Sequence, residues 1–241
     1  MKKVFYILFI LLLSLTIPTN VYAMHIAEGY LPLNWTLFYF ILSAPFIFFS
    51  IRAIRKSIRK NKDIKMLLAL MGAYVFMMSA MKLPSVTGSS SHPTGTGLGA
   101  VIFGPMVMVV ISVIVLLFQA ILLAHGGLTT LGANVFSMGI IGPIVAYAVY
   151  RLFKNKNKTI AIFLAATIGD LATYVVTSIQ LALAFPARDG GVISSVIKFS
   201  EIFAITQVPL AIVEGIISVI IYDFIRKHCS NELSELGEEL L

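Results

Sequence analysis

Charge is scarce in this chain. Asp, Glu, Lys and Arg make up only 12% of its 241 residues, against 59% hydrophobic, and the mean hydropathy is +0.95. So little charge cannot cover a soluble globule, which leaves a polytopic membrane protein, and the seven helices set out below make it all-α. Cysteine is scarcer still: Cys229 stands alone, which excludes an internal disulfide and a thiolate metal site. No GxxxxGK[ST] phosphate loop and no HExxH pattern occurs, so neither ATP hydrolysis nor zinc-protease chemistry has a recognisable home. Acid is short relative to base, 11 residues against 18, for a net charge of +7. The basic residues gather in short stretches beside apolar runs, a pattern of membrane topology rather than of a nucleic-acid partner.

The first 23 residues read as a segment to be removed. Lys2 and Lys3 precede an apolar run from Val4 to Ile17, Pro18 breaks it, and Val21-Tyr22-Ala23 ends in a small residue. That is the pattern of a secretory signal peptide, and the run is short for a spanning helix, which needs ~20 residues. Three parts follow: a signal peptide at 1–23, a membrane-embedded metal-binding domain at 24–228 and an acidic cytoplasmic tail at 229–241. Cleavage after Ala23 gives Met24 a free α-amine and puts His25 second. The amine, the backbone nitrogen of His25 and its Nδ1 then form a preformed chelate, provided the amide gives up its proton. Planar nitrogen coordination of this kind suits Ni(II) or Cu(II), and imidazole also accepts cobalt. A fourth nitrogen has three possible sources: His92, His125 and His228.

Charge sets the expected topology. Trp35 marks an interface, a first helix covers about 36–51, and a cytoplasmic loop carries Arg52, Arg55, Lys56, Arg59, Lys60, Lys62 and Lys65. A second helix, about 66–81, returns outward. The stretch Pro84 to Gly97 is rich in Gly, Ser, Thr and Pro and is therefore irregular, tolerable at membrane depth only where it is buried in protein or lines a cavity. It places His92 on the side of Met24, which makes His92 the leading fourth ligand. One crossing between Lys82 and His125 would put the basic group Arg151-Lys154-Lys156-Lys158 outside. A short third passage at about 93–103, followed by a helix at about 105–124, repairs this. Helices at about 135–150, 159–184 and 202–225 complete seven, with an outer loop at 185–199. Every lysine and arginine except Lys82, Arg188 and Lys198 then lies inside.

Charged residues within spans cost ~2.5–3.5 kcal/mol on insertion scales, so Asp170 and Glu214 require a reason. With Gln119, Gln180 and Gln207 they either orient the ligands and the N-terminal segment or bond helix to helix. Glu28 either meets an imidazole or makes a loop contact. His228 lies on the wrong side for the site. The ten methionines fall mostly in apolar helices and read as packing.

Met24-His-Ile-Ala-Glu-Gly-Tyr-Leu-Pro32, Ser91-His-Pro-Thr-Gly-Thr-Gly-Leu-Gly-Ala100 and Ala124-His-Gly-Gly-Leu-Thr-Thr-Leu-Gly-Ala-Asn134 together resemble the CbiM family, with the nickel relative NikM close by. These are substrate-binding membrane subunits of energy-coupling-factor transporters. The resemblance implies a helical bundle that binds one ion near its outer face through Met24, His25 and His92. Ser91, His125 and Asn134, which stand in the matching motifs, join Glu28 as candidates for supporting contacts. It further implies a cytoplasmic ATPase pair, a transmembrane coupling subunit, a small auxiliary membrane protein, a cell-membrane location, Co(II) as cargo and a supply to cobalamin synthesis, with no organic cofactor. The Ser-His-Pro-Thr-Gly-Thr-Gly form is more like the cobalt members, whereas the coordination chemistry alone leans toward nickel.

Acid should weaken binding below the ordinary histidine pKa of ~6.5, since the ligands must be neutral. A membrane metalloenzyme is the rival from another class, but a filled plane leaves no equatorial position for a substrate, whereas catalytic sites keep one open. A stand-alone channel or carrier is a further alternative, separated by whether uptake needs an ATPase.

Overall fold

The computed structural model describes residues 22–23, 25–60, 64–84, 89–230 and 233. The expected signal peptide up to Val21, Met24 and most of the acidic tail lie outside the described residues. Seven helical runs account for most of the described chain: α1 (Leu33–Lys60), α2 (Ile64–Ala80), α3 (Thr96–Phe103), α4 (Pro105–Leu122), α5 (Leu131–Phe153), α6 (Lys158–Ala184) and α7 (Gly191–His228). Five of them, α1 and α4 to α7, are long and apolar enough to cross a membrane, and α2 is a shorter apolar helix. Three very short strands join them: β1 (Tyr22–Ala23) pairs parallel with β3 (Ser89–Ser91), and β2 (Leu83–Pro84) pairs antiparallel with the other edge of β3.

The short third passage is present and compact. Residues 91 to 103 are all buried, and α3 has eight residues. At 1.5 Å per residue it is ~12 Å long, and even three fully extended residues ahead of it would bring the passage only to ~22 Å, less than the ~30 Å of a hydrocarbon core. Protein surrounds it instead of lipid. Gly97 faces α6 so closely that a Cβ there would lie 2.7 Å from the Ala166 Cα. At Gly104 the chain turns with φ 84°, and Pro105 opens α4, where its missing N–H costs nothing.

Two boundaries differ from the sequence reading. α1 continues as helix to Lys60, so Arg52, Arg55, Lys56 and Arg59 line a helical extension instead of a loop. α7 starts at Gly191, which shortens the expected loop at 185–199 to the few residues between Ala184 and Gly191. Both corrections have one cause. Crossing from lipid to water changes which side chains are favoured but leaves the backbone ladder intact, so a helix has no reason to end where its charges begin.

The exterior is apolar and the interior holds polar groups. Leu37, Ile41, Phe48 and Phe49 on α1 and Ile205, Ile216, Ile220 and Phe224 on α7 are exposed, while Gln119, Asp170, Gln207 and Glu214 are buried. An exposed apolar surface of that extent is a liability in water and the expected surface in lipid. The chain is thus a multi-pass membrane protein. Helix direction alternates, so the segments at 81–84, 89–95, 123–130 and 185–190 share one end of the bundle, and the ends carrying Arg59, Arg151 and Arg226 share the other.

Candidate metal site

The first of those ends gathers three histidines from distant parts of the sequence. His25 follows β1, His92 sits between β3 and α3, and His125 lies just past α4. They are 2%, 0% and 1% exposed. One ring nitrogen from each falls within 4.8 Å of the others. The ring centres are 4.7 Å apart for His25–His92, 4.7 Å for His25–His125 and 4.9 Å for His92–His125.

Hydrogen bonds set which nitrogen of two of these rings is left free. His92 Nδ1 lies 2.9 Å from the Pro93 carbonyl oxygen, which can only accept, so Nδ1 carries the proton and Nε2 keeps a lone pair. That Nε2 is buried with no hydrogen-bond partner. His25 Nε2 donates to Gln119 Oε1 at 3.1 Å, which leaves the Nδ1 lone pair that the N-terminal chelate requires. Gln119 is itself anchored by donating through Nε2 to the Ser79 hydroxyl. His125 Nε2 is likewise buried without a partner. Burial, the first cause, lowers all three pKa values, and repulsion from neighbouring rings adds to it for His25 and His125. The His92 value is lowered to about 4, and His125 and His25 also move down. All three imidazoles are neutral at pH 7, the form that binds metal.

The segment after His25 is fastened to the 125–134 loop. Asn134 Oδ1 accepts from Ile26 N–H at 2.9 Å, and Nδ2 donates to Ile26 C=O at 3.1 Å, so a side-chain amide pairs with the backbone as a strand would. Thr130 Oγ1 donates to the same carbonyl at 2.6 Å. π-Helical turns at Val135–Ile141 follow Asn134 directly, an irregularity frequent at functional sites. Glu28 is exposed and does not meet an imidazole: its carboxylate accepts from Thr129 N–H at 3.2 Å. Hydrogen bonding to the Thr129 side chain, foremost, and to the backbone N–H groups beside it holds its pKa down. The loop-contact reading of Glu28 therefore stands. Ser91 bonds Thr206 through its hydroxyl at 2.7 Å and ties β3 to α7, away from the rings.

The buried acids serve the irregular segment. Glu214 accepts from Thr94 N–H at 2.6 Å and Gly95 N–H at 2.9 Å, backbone donors at the start of α3 that no helix bond satisfies. Gln207 Nε2 donates to the His92 carbonyl at 3.2 Å and to Asp170 Oδ2. Tyr174 OH donates to that carbonyl at 3.2 Å, and His92 N–H points back at the phenol oxygen at 3.3 Å. Of the two readings of these groups, the positioning one fits Gln119, Asp170, Gln207 and Glu214, and Gln180 makes an ordinary interhelical bond to Ala133 C=O. Ser79, Thr130 and Tyr174 were missed by the sequence reading: a hydroxyl in an apolar helix, as at Ser79 and Tyr174, carries no periodic signal, and Thr130 stands beside Thr129 in a loop with nothing to set it apart. His228 lies at the far end of α7 against Phe224, as expected.

A family model described as the cobalt uptake substrate-specific transmembrane region matches residues 25–231. Two relatives named cobalt transport protein CbiM are similar over most of their length. One, from Clostridium tetani (strain Massachusetts / E88), is 61% identical and covers 98% of both chains; the other, from Desulforamulus reducens, is 59% identical and covers 88% of this chain and 84% of its own. A crystal structure titled as a truncated transition metal transporter superimposes with a TM-score of 0.73 at 27% identity, covering 85% of this chain and 99% of that one.

Proposed function

The chain belongs to the CbiM family of cobalt-uptake transmembrane proteins, and on that footing we propose that it is the component that captures Co(II) at the outer membrane face for an ATP-driven importer of the energy-coupling-factor type. The observation that carries this reading is the buried meeting of neutral imidazoles whose free nitrogens are fixed by Gln119 and the Pro93 carbonyl. Met24 amine, His25 backbone nitrogen, His25 Nδ1 and His92 Nε2 are the proposed ligands, with Met24 exposed as a terminus by cleavage after Ala23.

The N-terminal segment and the His92 segment close over the ion together. Asn134 and Thr130 hold the first, and Tyr174, Gln207 and Glu214 hold the second, so the metal joins two separately anchored pieces. The mature N-terminus faces outward and the basic helix ends face the cytoplasm, as the positive-inside bias requires. Energy comes from partners, because the sequence has no phosphate loop. These are a cytoplasmic ATPase pair, a transmembrane coupling subunit and a small auxiliary membrane protein, and the imported cobalt supplies cobalamin synthesis. The subunit itself is non-catalytic.

Radiocobalt uptake by cells expressing the full set of subunits tests this. Uptake is expected to fall to background in His25→Ala, in His92→Ala and with an inactivated ATPase. Uptake that persists in both histidine variants, or without ATP hydrolysis, would contradict the proposal.

A further inference from the structure

The N-terminal chelate and His92 use two of the three imidazoles, and the third is placed with equal care. His125 N–H donates to the Gln119 carbonyl at 3.1 Å, so the backbone that orients His25 through its side chain also positions His125. The next residue packs so tightly that a Cβ at Gly126 would approach the His25 Cβ to 3.3 Å, and its φ of 76° favours glycine in any case. The His125 ring is thereby pressed against the site. Its Nε2 is buried and unpartnered, like His92 Nε2.

The ring spacing matches one arrangement about a single ion. An imidazole bound at ~2.1 Å through nitrogen has its centre ~3.2 Å from the ion, so rings at right angles have centres ~4.5 Å apart and rings on opposite sides ~6.4 Å apart. The observed separations of 4.7, 4.7 and 4.9 Å fit three mutually adjacent positions around one ion. The planes are inclined to one another by 66°, 53° and 68°, so no pair is stacked face to face. Closing on an ion requires the donor atoms, now within 4.8 Å, to draw in to ~3 Å.

In the planar set proposed above, His92 lies opposite the His25 backbone nitrogen and beside the His25 ring. A third position adjacent to both imidazoles, and not already filled by the amine, lies above the plane. Building on that reading, we propose that His125 binds the ion through Nε2 along the axis of the plane, and that this fifth nitrogen selects cobalt over nickel. The selectivity follows from electron count. Planar Ni(II) with a deprotonated amide ligand has its axial d orbital doubly filled, and an axial donor repels it. Co(II) has one electron fewer in that orbital and gains from a fifth σ donor. A plane alone would suit nickel or copper, so the chain resolves in favour of cobalt through a residue outside the plane.

The test is anaerobic titration of the purified, N-terminally processed full chain with Co(II) and with Ni(II). The chains compared are wild type, His125→Ala, His125→Gln and a chain with glycine inserted after Met24. The proposal expects both His125 variants to lose about tenfold or more in cobalt affinity while nickel affinity changes by less than about threefold. X-ray absorption at the cobalt edge should lack the sharp shoulder of an open planar ion in wild type. Equal losses for both metals, or no loss for cobalt, would overturn the proposal, since a merely structural His125 cannot change the ratio of affinities. His125→Gln keeps the volume and polarity of the side chain and reads the ratio if the alanine variant does not fold. The glycine insertion acts on the chelate and leaves His125 in place. Binding that survives the insertion unchanged therefore counts against the planar ligand set, separately from the cobalt-to-nickel ratio that judges His125.

Discussion

His92 sets the acid response of the site through its own surroundings. With its pKa lowered to about 4 by burial, it stays neutral through the range where an exposed histidine would take up a proton. His25 and His125 shift the same way, so the fall in affinity expected near pH ~6.5 from an ordinary imidazole moves to lower pH. In the proposed ligand set the Met24 amine, with an ordinary pKa of ~7.7–8.0, and the His25 amide proton are then the groups that compete with metal at neutral pH. Two protons leave per ion, so log Kd should change by about 2 per pH unit between pH 7 and 5, and isothermal titration at several pH values checks this. A slope of about 4 near pH 6 would show the histidines titrating with the metal and contradict their burial. The metal-free fold has its own dependence. Below pH ~6.5 the unfolded histidines bind protons that the folded ones refuse, so stability falls as pH drops from ~6.5 toward 4 and is fully present above that window. His25 and His92 could be singled out in the sequence because a signal-peptide-like leader and a Gly-rich stretch are local features, and the structure brings both rings together. The convergence of His125 was not, because it depends on where α4 ends against two segments far away in sequence.

α3 shows what a short passage demands of its neighbours. Charge bookkeeping on Arg151 to Lys158 required an extra crossing, so the existence of α3 could be read from the sequence; the partners that make it tolerable could not. They lie on α6 and α7, at Tyr174, Gln207 and Glu214, and each bonds a backbone group that a continuous helix would have satisfied itself. Close packing matters as much. Gly97→Ala would place a methyl 2.7 Å from the Ala166 backbone, whereas Gly72→Ala on α2 would meet nothing nearer than 3.9 Å. Gly97→Ala should therefore lower stability by ~1–3 kcal/mol and weaken metal binding by displacing His92, while Gly72→Ala should be neutral or slightly stabilising through helix propensity. Thermal unfolding of the two variants in the same detergent checks the pair, and equal effects would show that α3 has room to move. The extensions of α1 past Ile51 and of α7 back to Gly191 were hidden for the opposite reason. Lys198, Glu201 and the arginines of α1 mark contact with water, which the sequence displays, whereas a helix end needs a cap or a breaker, which those positions lack.

As a whole, the molecule separates three environments: an apolar girdle for lipid, a basic end, and an opposite end where the imidazoles are shut away from water. The polar interior runs from Gln119 through His92 to Asp170 and Glu214, so the site is the outermost part of a buried polar network. This layout suits a protein that holds an ion firmly and releases it only when other subunits move the bundle, which is why the proposed function assigns the ATPase elsewhere. Everything in that account depends on the residue that begins the mature chain. Intact mass and N-terminal sequencing of the protein purified from membranes, with cobalt content measured beside that of a chain carrying glycine inserted after Met24, tests it most directly. The account predicts a chain starting at Met24 with one cobalt bound, and loss of that cobalt on insertion. A chain that keeps its first 23 residues and still holds cobalt, or an insertion that leaves binding intact, would contradict it.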